Sequence, residues 1–445
     1  NKMTSKPHWI GFDLDHTVAR YKLDELRILN HSCCLDYLRD HCNYSQEKLK
    51  PELPESFLER RGAIVDRQLG HIVFIDEQKI VFEAHHGFKQ LTKEEIKSAY
   101  NEQPLEDFNG STTRRFWPAN SFFETFLISR FACLTEFSDK NEQNKDASER
   151  YDQLTDDLHN SLFYNYAEYT RGNFFKAFRE RPQTLLFKRP FLVEWIKDVH
   201  ANTDCQVFLC TNSMAEFTQL LCSFVLGDNW RELFRLTIVK ARKPYFFLHG
   251  CDNTSFEISP AYRVTFDDNQ VATIHDDPIQ KMKLNEIYMS GCAQQLEDLF
   301  IEEASERGVK LTRAELDVVY AGDHPISDVR AAQQCCRAWR AVSVCEELAP
   351  FEASAGVPVA LLCKPEDAHY VELTEKQHTA TTYTAAQLNA EPHNFFFAPN
   401  NRLTYLGRAV ADSDVVVSDI HQLCSSRNGD PLHMFEIGQR NAIIE

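Results

Sequence analysis

The chain has 445 residues and a mass of 51.5 kDa, with 43% hydrophobic and 26% charged residues. That balance belongs to a globular protein with a sizeable core and excludes a disordered, collagen-like or coiled-coil chain. Lys and Arg number 48 against 66 Asp and Glu, a formal net charge of −18. Such a field repels nucleic acid and anionic membranes, so neither is expected as a partner. No apolar stretch approaches the roughly 20 residues that cross a bilayer. Fourteen cysteines are scattered without a CxxC, several inside apolar runs such as VFLC at 207–210. Reduced, buried thiols in a cytoplasmic protein are the expectation. The opening NKMTSKPHWI shows no signal-peptide pattern; Met3 is either the native start or a residue behind a missing leader.

In chain order, His8–Phe12 reads as a first strand ending at Asp13. Gln206–Cys210 is a second, ending at Thr211, with a helical run Ala215–Leu226 behind it. Leu236–Val239 leads to Ala241-Arg242-Lys243-Pro244. Val318–Ala321 ends at Gly322-Asp323, and Ala341–Val344 follows a helical stretch, Asp328–Arg337. Short, nearly continuous apolar strands alternating with helices predict an α/β fold with a Rossmann-like parallel sheet covered on both faces. Ligands of such sheets collect at the carboxyl ends of the strands, where every polar tip named here lies.

About two hundred residues separate the first two tips, far more than one crossover needs. An inserted domain, 31–184, is therefore expected within a core made of 1–30 and 185–445. It holds a hairpin pattern, Ile72–Ile75 and Lys79–Phe82 joined through Asp76-Glu77-Gln78, and two aromatic helical stretches, Phe122–Phe137 and Tyr151–Tyr169. The polar run Ser138–Arg150 between them reads as an exposed connection. A smaller insertion, about 249–283, carries a strand pair around Tyr262–Phe266 and Val271–Ile274. Ala353–Gln387 has no clear pattern, and the apolar runs Phe395–Phe397 and Val415–Val417 read as edge strands.

The strongest chemical signal is Asp13-Leu14-Asp15-His16-Thr17. Two carboxylates two residues apart beyond a strand can face one point. Asp13 would attack phosphorus to form an aspartyl-phosphate, and Asp15 would protonate the leaving oxygen and then deprotonate the attacking water. Thr211-Asn212-Ser213 offers hydroxyl, amide and backbone N–H donors for phosphoryl oxygens. Lys243 could neutralise the transferring group. In Gly322-Asp323-His324-Pro325-Ile326-Ser327-Asp328, Asp323 could bind a hard cation while Asp328 orients a water or Lys243; Mg²⁺ is the natural ion. Singly, each has a plainer reading: a turn Asp, a helix cap or a solvated lysine. Four such signals in order, all at strand tips, favour chemistry.

These four motifs, in this order and spacing, resemble the haloacid dehalogenase superfamily of aspartate-nucleophile phosphohydrolases. More narrowly, GFDLDHTVARY, VFLCTNS, KARKPYFF and YAGDHPISDV resemble the cytosolic purine 5′-nucleotidase family, as do Arg20-Tyr21 and the stretch AHHGFK at 84–89. The resemblance implies Asp13 as nucleophile and Asp15 as acid/base. It implies Mg²⁺ on the Asp13 carboxylate, the Asp15 backbone carbonyl and Asp323, with Asp328 supporting the metal site. Thr211, Asn212 and Lys243 would hold the phosphate, and the insertion would be a mainly helical cap that shields the site and reads the substrate. It places Phe123 at an aromatic position that stacks on the base, against the plainer reading of Phe123 as core. His159 and Phe163 fall where a basic and an acidic residue read a purine edge. Phenylalanine accepts no hydrogen bond, so inosinate or guanylate selectivity does not carry over. The expected activity is Mg²⁺-dependent hydrolysis of a small phosphate ester, a nucleoside 5′-monophosphate first, in a protein that the family allows to be a homo-oligomer. The alternatives are a phosphatase or phosphotransferase for another ester, and a partner-binding protein with a slow residual site.

Overall fold

Apolar runs ending in polar tips become parallel strands because both faces of each can be buried. In the computed structural model, which describes residues 8–50, 52–248, 259–336, 338–348, 359–361, 370–372, 381–383, 398 and 402–420, seven strands run parallel. Their spatial order is Glu286–Ser290, Leu236–Val239, Cys205–Cys210, His8–Phe12, Val318–Gly322, Trp339–Val344 and Val415–Val417. Antiparallel strands extend both sides. Ala261–Phe266 and Ala272–Ile279 lie beyond Glu286–Ser290, and Val359–Leu361, Tyr370–Glu372 and Thr381–Tyr383 lie beyond Val415–Val417. The fold is thus mixed α/β around a mostly parallel sheet.

The chain divides into two compact units: Asn1–Tyr21 with Leu186–Thr384 and Ala409–Glu445, and Lys22–Leu185 with Ala385–Arg408. The first holds the parallel sheet. Trp9, Phe208, Leu236, Ile238, Val318, Tyr320 and Trp339 project from one face into a core with Leu296 and Phe300 of helix Ala293–Glu306. Trp9 stacks on Phe300 at 3.9 Å. Gly11 is required by close approach. A Cβ there would lie 2.2 Å from the Phe208 ring and 2.7 Å from that of Tyr320, on the strands that flank it.

The second unit carries a five-stranded antiparallel sheet, ordered Lys89–Gln90, Val81–His86, His71–Ile75, Ala63–Asp66 and Phe116–Ala119. Val65, Ile72, Phe74 and Trp117 pack with residues of helices Leu23–Cys42, Phe122–Asn141 and Ala147–Tyr166. The expected hairpin is its centre: His71–Ile75 and Val81–His86 pair around Asp76, whose Oδ1 accepts from the N–H groups of Gln78 and Ile80 at 2.9 Å each.

Several sequence expectations are corrected. Most of Ser138–Arg150 is helical, because helix Phe122–Asn141 starts from a Ser121/Glu124 capping box and runs through the polar residues, and Asp146 caps the next helix. Val415–Val417 is an interior strand, between Trp339–Val344 and Val359–Leu361, rather than an edge. Phe395–Phe397 and most of 353–387 lie outside the described residues. Ten described cysteines are free thiols, nine of them buried. No described helix is long and apolar enough to cross a membrane.

Candidate active site

Register brings the polar tips together. Phe12 is level with Leu209 on one neighbouring strand and Ala321 on the other, so Asp13, Thr211 and Asp323 all leave the same end of the three central strands. The Asp13 N–H donates to the Ala321 carbonyl at 2.8 Å, the last rung of that ladder. The chain then turns through His16, at φ 56°, and the Ala19 N–H donates to the Leu14 carbonyl at 2.7 Å.

Four buried side chains converge there. Lys243 Nζ donates to Asp13 Oδ1 at 2.6 Å and to the Tyr320 hydroxyl at 3.0 Å, and lies 2.6 Å from Asp328 Oδ1. Asp13, Asp323 and Asp328 each place a carboxylate oxygen within 4.8 Å of the other two. Asp13, Lys243, Asp323 and Asp328 are 5%, 6%, 7% and 1% exposed. Among these side chains negative charge is in excess. Burial first, then the neighbouring Asp328 and Asp15 carboxylates, push the Asp13 carboxyl group up to about 7 against the opposing pull of Lys243. Burial alone would lower the Lys243 ammonium; Asp13 and Asp328 outweigh it and hold Lys243 charged, well above its ordinary value.

The surrounding backbone fixes this geometry. Gly322 has no side chain because Asp328 fills the space: a Cβ would sit 2.5 Å from Asp328 Cβ. Asp328 Oδ2 accepts from the His324 N–H at 3.1 Å. His324 Nδ1 in turn accepts from the N–H groups of Ile326 and Ser327, capping the helical segment Pro325–Arg330 on which Asp328 rides. Asn212 and Lys243 exchange two bonds, Lys243 N–H to Asn212 Oδ1 at 2.7 Å and Asn212 Nδ2 to the Lys243 carbonyl at 3.1 Å. The Asn212 amide, expected from sequence to face phosphoryl oxygens, thus also holds the Lys243 backbone, using one of its two Nδ2 hydrogens. Thr211 is fully buried, its carbonyl accepting from the Ala241 N–H at 2.9 Å. Asp15 stands beside the cluster, its Oδ2 accepting from Ser213 Oγ at 2.6 Å and its Oδ1 from the Tyr21 hydroxyl.

Sequence reasoning overlooked Tyr320. Its hydroxyl donates to the Cys210 carbonyl at 2.8 Å and accepts from Lys243. Burial first, then Asp328, push that hydroxyl far up, so it stays a neutral phenol. The available signal was one hydroxyl in the otherwise apolar strand VVYAG. Phe123, His159 and Phe163 lie in the second unit. The Phe123 ring packs against Tyr166 at 5.0 Å and Phe174 at 5.9 Å. His159 sits 5.8 Å from Trp117 and 4.8 Å from Phe163, which is 60% exposed.

The sequence matches the 5′ nucleotidase family over residues 4–382. It is 23% identical over 346 residues to 5′-nucleotidase domain-containing protein 1 of Homo sapiens, an alignment covering 76% of this chain and 71% of that protein. It is 24% identical over 348 residues to the protein of the same name from Bos taurus, covering 76% and 72%. With a family match across most of its length, and the cluster of carboxylates and lysine lying inside the matched segment, the chain belongs to the 5′ nucleotidase family and so to the phosphoric monoester hydrolases.

Proposed function

We propose that the protein hydrolyses a nucleoside 5′-monophosphate through an aspartyl-phosphate on Asp13, in a core of the haloacid dehalogenase type. The observation that carries this reading is the convergence of Asp13, Lys243, Asp323 and Asp328 at one sheet end. Asp13 Oδ attacks phosphorus as the ester P–O bond breaks, and the Asp15 carboxyl group passes its proton to the departing alcohol oxygen. The resulting Asp15 carboxylate then takes a proton from water as that water's oxygen attacks phosphorus. The Asp13–phosphorus bond breaks, inorganic phosphate leaves, and Asp15 is again protonated. Thr211 through its hydroxyl, Asn212 through its main-chain N–H and Lys243 through its ammonium hold the phosphoryl oxygens where charge builds up.

The donor set fits Mg²⁺: the cluster offers only carboxylate oxygens, lies buried, and carries more negative than positive charge. The Asp13 carboxylate, the Asp15 backbone carbonyl and Asp323 would hold the ion, with Asp328 fixing Lys243 and supporting the metal site. When bound, it supplies Lewis-acid polarisation of a phosphoryl oxygen.

The test is a panel of nucleoside 5′-monophosphates and simple phosphate esters with Mg²⁺, comparing the wild type with Asp13→Asn. Phosphate release by the wild type and none above background by the variant is expected. Release unchanged by Asp13→Asn refutes the covalent mechanism, and no release from any ester refutes the activity.

A further inference from the structure

Both oxygens of the Asp15 carboxyl group are engaged by neutral hydroxyls. Tyr21 donates to Oδ1 and Ser213 to Oδ2, the latter at 2.6 Å. Each donor is itself anchored. Tyr21 is 1% exposed, its backbone bridges to Leu186, and its ring lies 4.6 Å from that of His16. His16 Nδ1 hydrogen-bonds Glu346 at 3.2 Å, both groups being buried. Ser213 is fixed through its backbone: its N–H donates to Thr211 Oγ1 at 3.0 Å and its carbonyl accepts from the Lys240 N–H at 2.8 Å.

The terminal torsion of an aspartate is broad and roughly two-fold, so an untethered carboxyl group swings. Donors on both oxygens stop that swing while leaving each oxygen spare lone-pair capacity. A general acid contributes only when its proton lies in line with the leaving oxygen, and small misplacements are costly. We infer that Tyr21 and Ser213 are positioning residues that clamp the Asp15 carboxyl group for proton transfer, and that Ser213 serves this purpose instead of binding phosphate. The inference rests on the acid/base role proposed for Asp15 and deepens it: the clamp suits the protein to esters whose alkoxide leaves poorly without a proton, the class to which nucleoside 5′-phosphates belong.

The experiment compares kcat/KM, which reports steps through formation of the phosphoenzyme, on two esters with Mg²⁺: a nucleoside 5′-monophosphate and 2,4-dinitrophenyl phosphate, whose leaving group needs no proton. Asp15→Asn sets the scale, and Tyr21→Phe, Ser213→Ala, their combination and Ser213→Thr are measured beside it. The combined variant is expected to lose roughly 10- to 100-fold on the nucleotide, part of the 10²–10⁴ that a positioned acid supplies. On the dinitrophenyl ester it should lose less than about 3-fold, because that ester draws little on the acid. Ser213→Thr, which keeps the hydroxyl, should stay close to wild type. Retained turnover of the dinitrophenyl ester also shows that the variant is folded. Equal losses on both esters overturn the inference and make the hydroxyls phosphate ligands or structural groups; no loss on either overturns it outright. If Asp15→Asn shows no difference between the esters, or the wild type cleaves neither, the acid/base reading itself has failed and the clamp falls with it.

Discussion

Two buried polar clusters, one in each unit, contain the same kinds of side chain in different proportions. In the second unit Asp66 is fully buried, yet Arg115 donates to both of its oxygens at 3.1 and 2.8 Å, Tyr100 donates at 3.1 Å, and the N–H groups of Gln68 and Leu69 turn onto Oδ1. Charge is matched and the carboxylate is well supplied with donors. At the end of the parallel sheet one ammonium, Lys243, meets Asp13 and Asp328 while Asp323 stands within 4.8 Å of them. The first arrangement holds strand Ala63–Asp66 in register with Phe116–Ala119. The second confines like charges together, enough to push the Asp13 carboxyl group up, which is the setting expected of a site that takes an added positive charge or an electrophile.

The same substitution in both places tests that contrast. Asp13→Asn should reduce phosphate release by at least about 10⁴-fold, the scale for losing a covalent nucleophile. It should nevertheless raise the midpoint of thermal unfolding in divalent-free buffer at pH 8. The sign follows from the raised Asp13 value: the folded state favours the protonated form, so the wild type loses stability as pH rises towards about 7, and a neutral amide escapes that loss. A lowered midpoint would mean that Asp13 is held as firmly as Asp66. Chelation of divalent ions should abolish turnover and added Mg²⁺ restore it. Mg²⁺ at about 100 times its dissociation constant should stabilise the wild type by about 2.7 kcal/mol, read as an upward shift in midpoint. No shift in the wild type would remove the metal from this cluster.

The parallel strands and their tips were legible because strands buried on both faces must be written in apolar residues, and the polar residue that follows has nowhere to go but the sheet end. Leu236–Val239 and Ala215–Leu226 agree with the observed elements to the residue. The clamp on Asp15 was not legible. Ser213 lies 198 residues from Asp15, and a serine after a strand reads as a helix cap until both ends of its backbone are located. Val415–Val417 misled for a different reason: three valines look alike at an edge and inside, and only the strand pairing on both sides decides. The polar surface of helix Phe122–Asn141 hid its last turn, since exposed helix and loop draw on the same residues.

Asp66→Asn should behave oppositely to Asp13→Asn. It keeps the shape but removes the charge that the partly exposed Arg115 pairs with, a loss of at most about 3 kcal/mol, the lower end for breaking a buried pair. Amide exchange in Ala63–Asp66, His71–Ile75 and Phe116–Ala119 should then quicken by up to roughly two decades, about 1.4 kcal/mol each. Unchanged protection there would show that the Arg115 pair contributes little.

The smallest expected effect is a dependence of the second unit on pH. His71 Nδ1 hydrogen-bonds Tyr100 at 2.9 Å, and its ring meets that of His86 edge-on at 5.4 Å. Burial first, then the nearby His86 and Arg115 charges, lower His71 from 6.5 to about 4, while Asp66 and Glu95 pull the other way. A depressed histidine favours the neutral ring in the fold. Its contribution is therefore complete above pH 6.5 and is lost as pH falls through about 4, because the unfolded chain takes up the proton first. Between pH 7 and pH 5 the loss amounts to at most about 2 kcal/mol, less whatever solvent at this partly exposed ring screens. Exchange rates in His71–Ile75 should rise over that interval in the wild type and rise less in His71→Gln, which keeps a side-chain group able to meet Tyr100 but cannot titrate. An equal rise in both would leave His71 a spectator in a network that Asp66 and Arg115 hold by themselves.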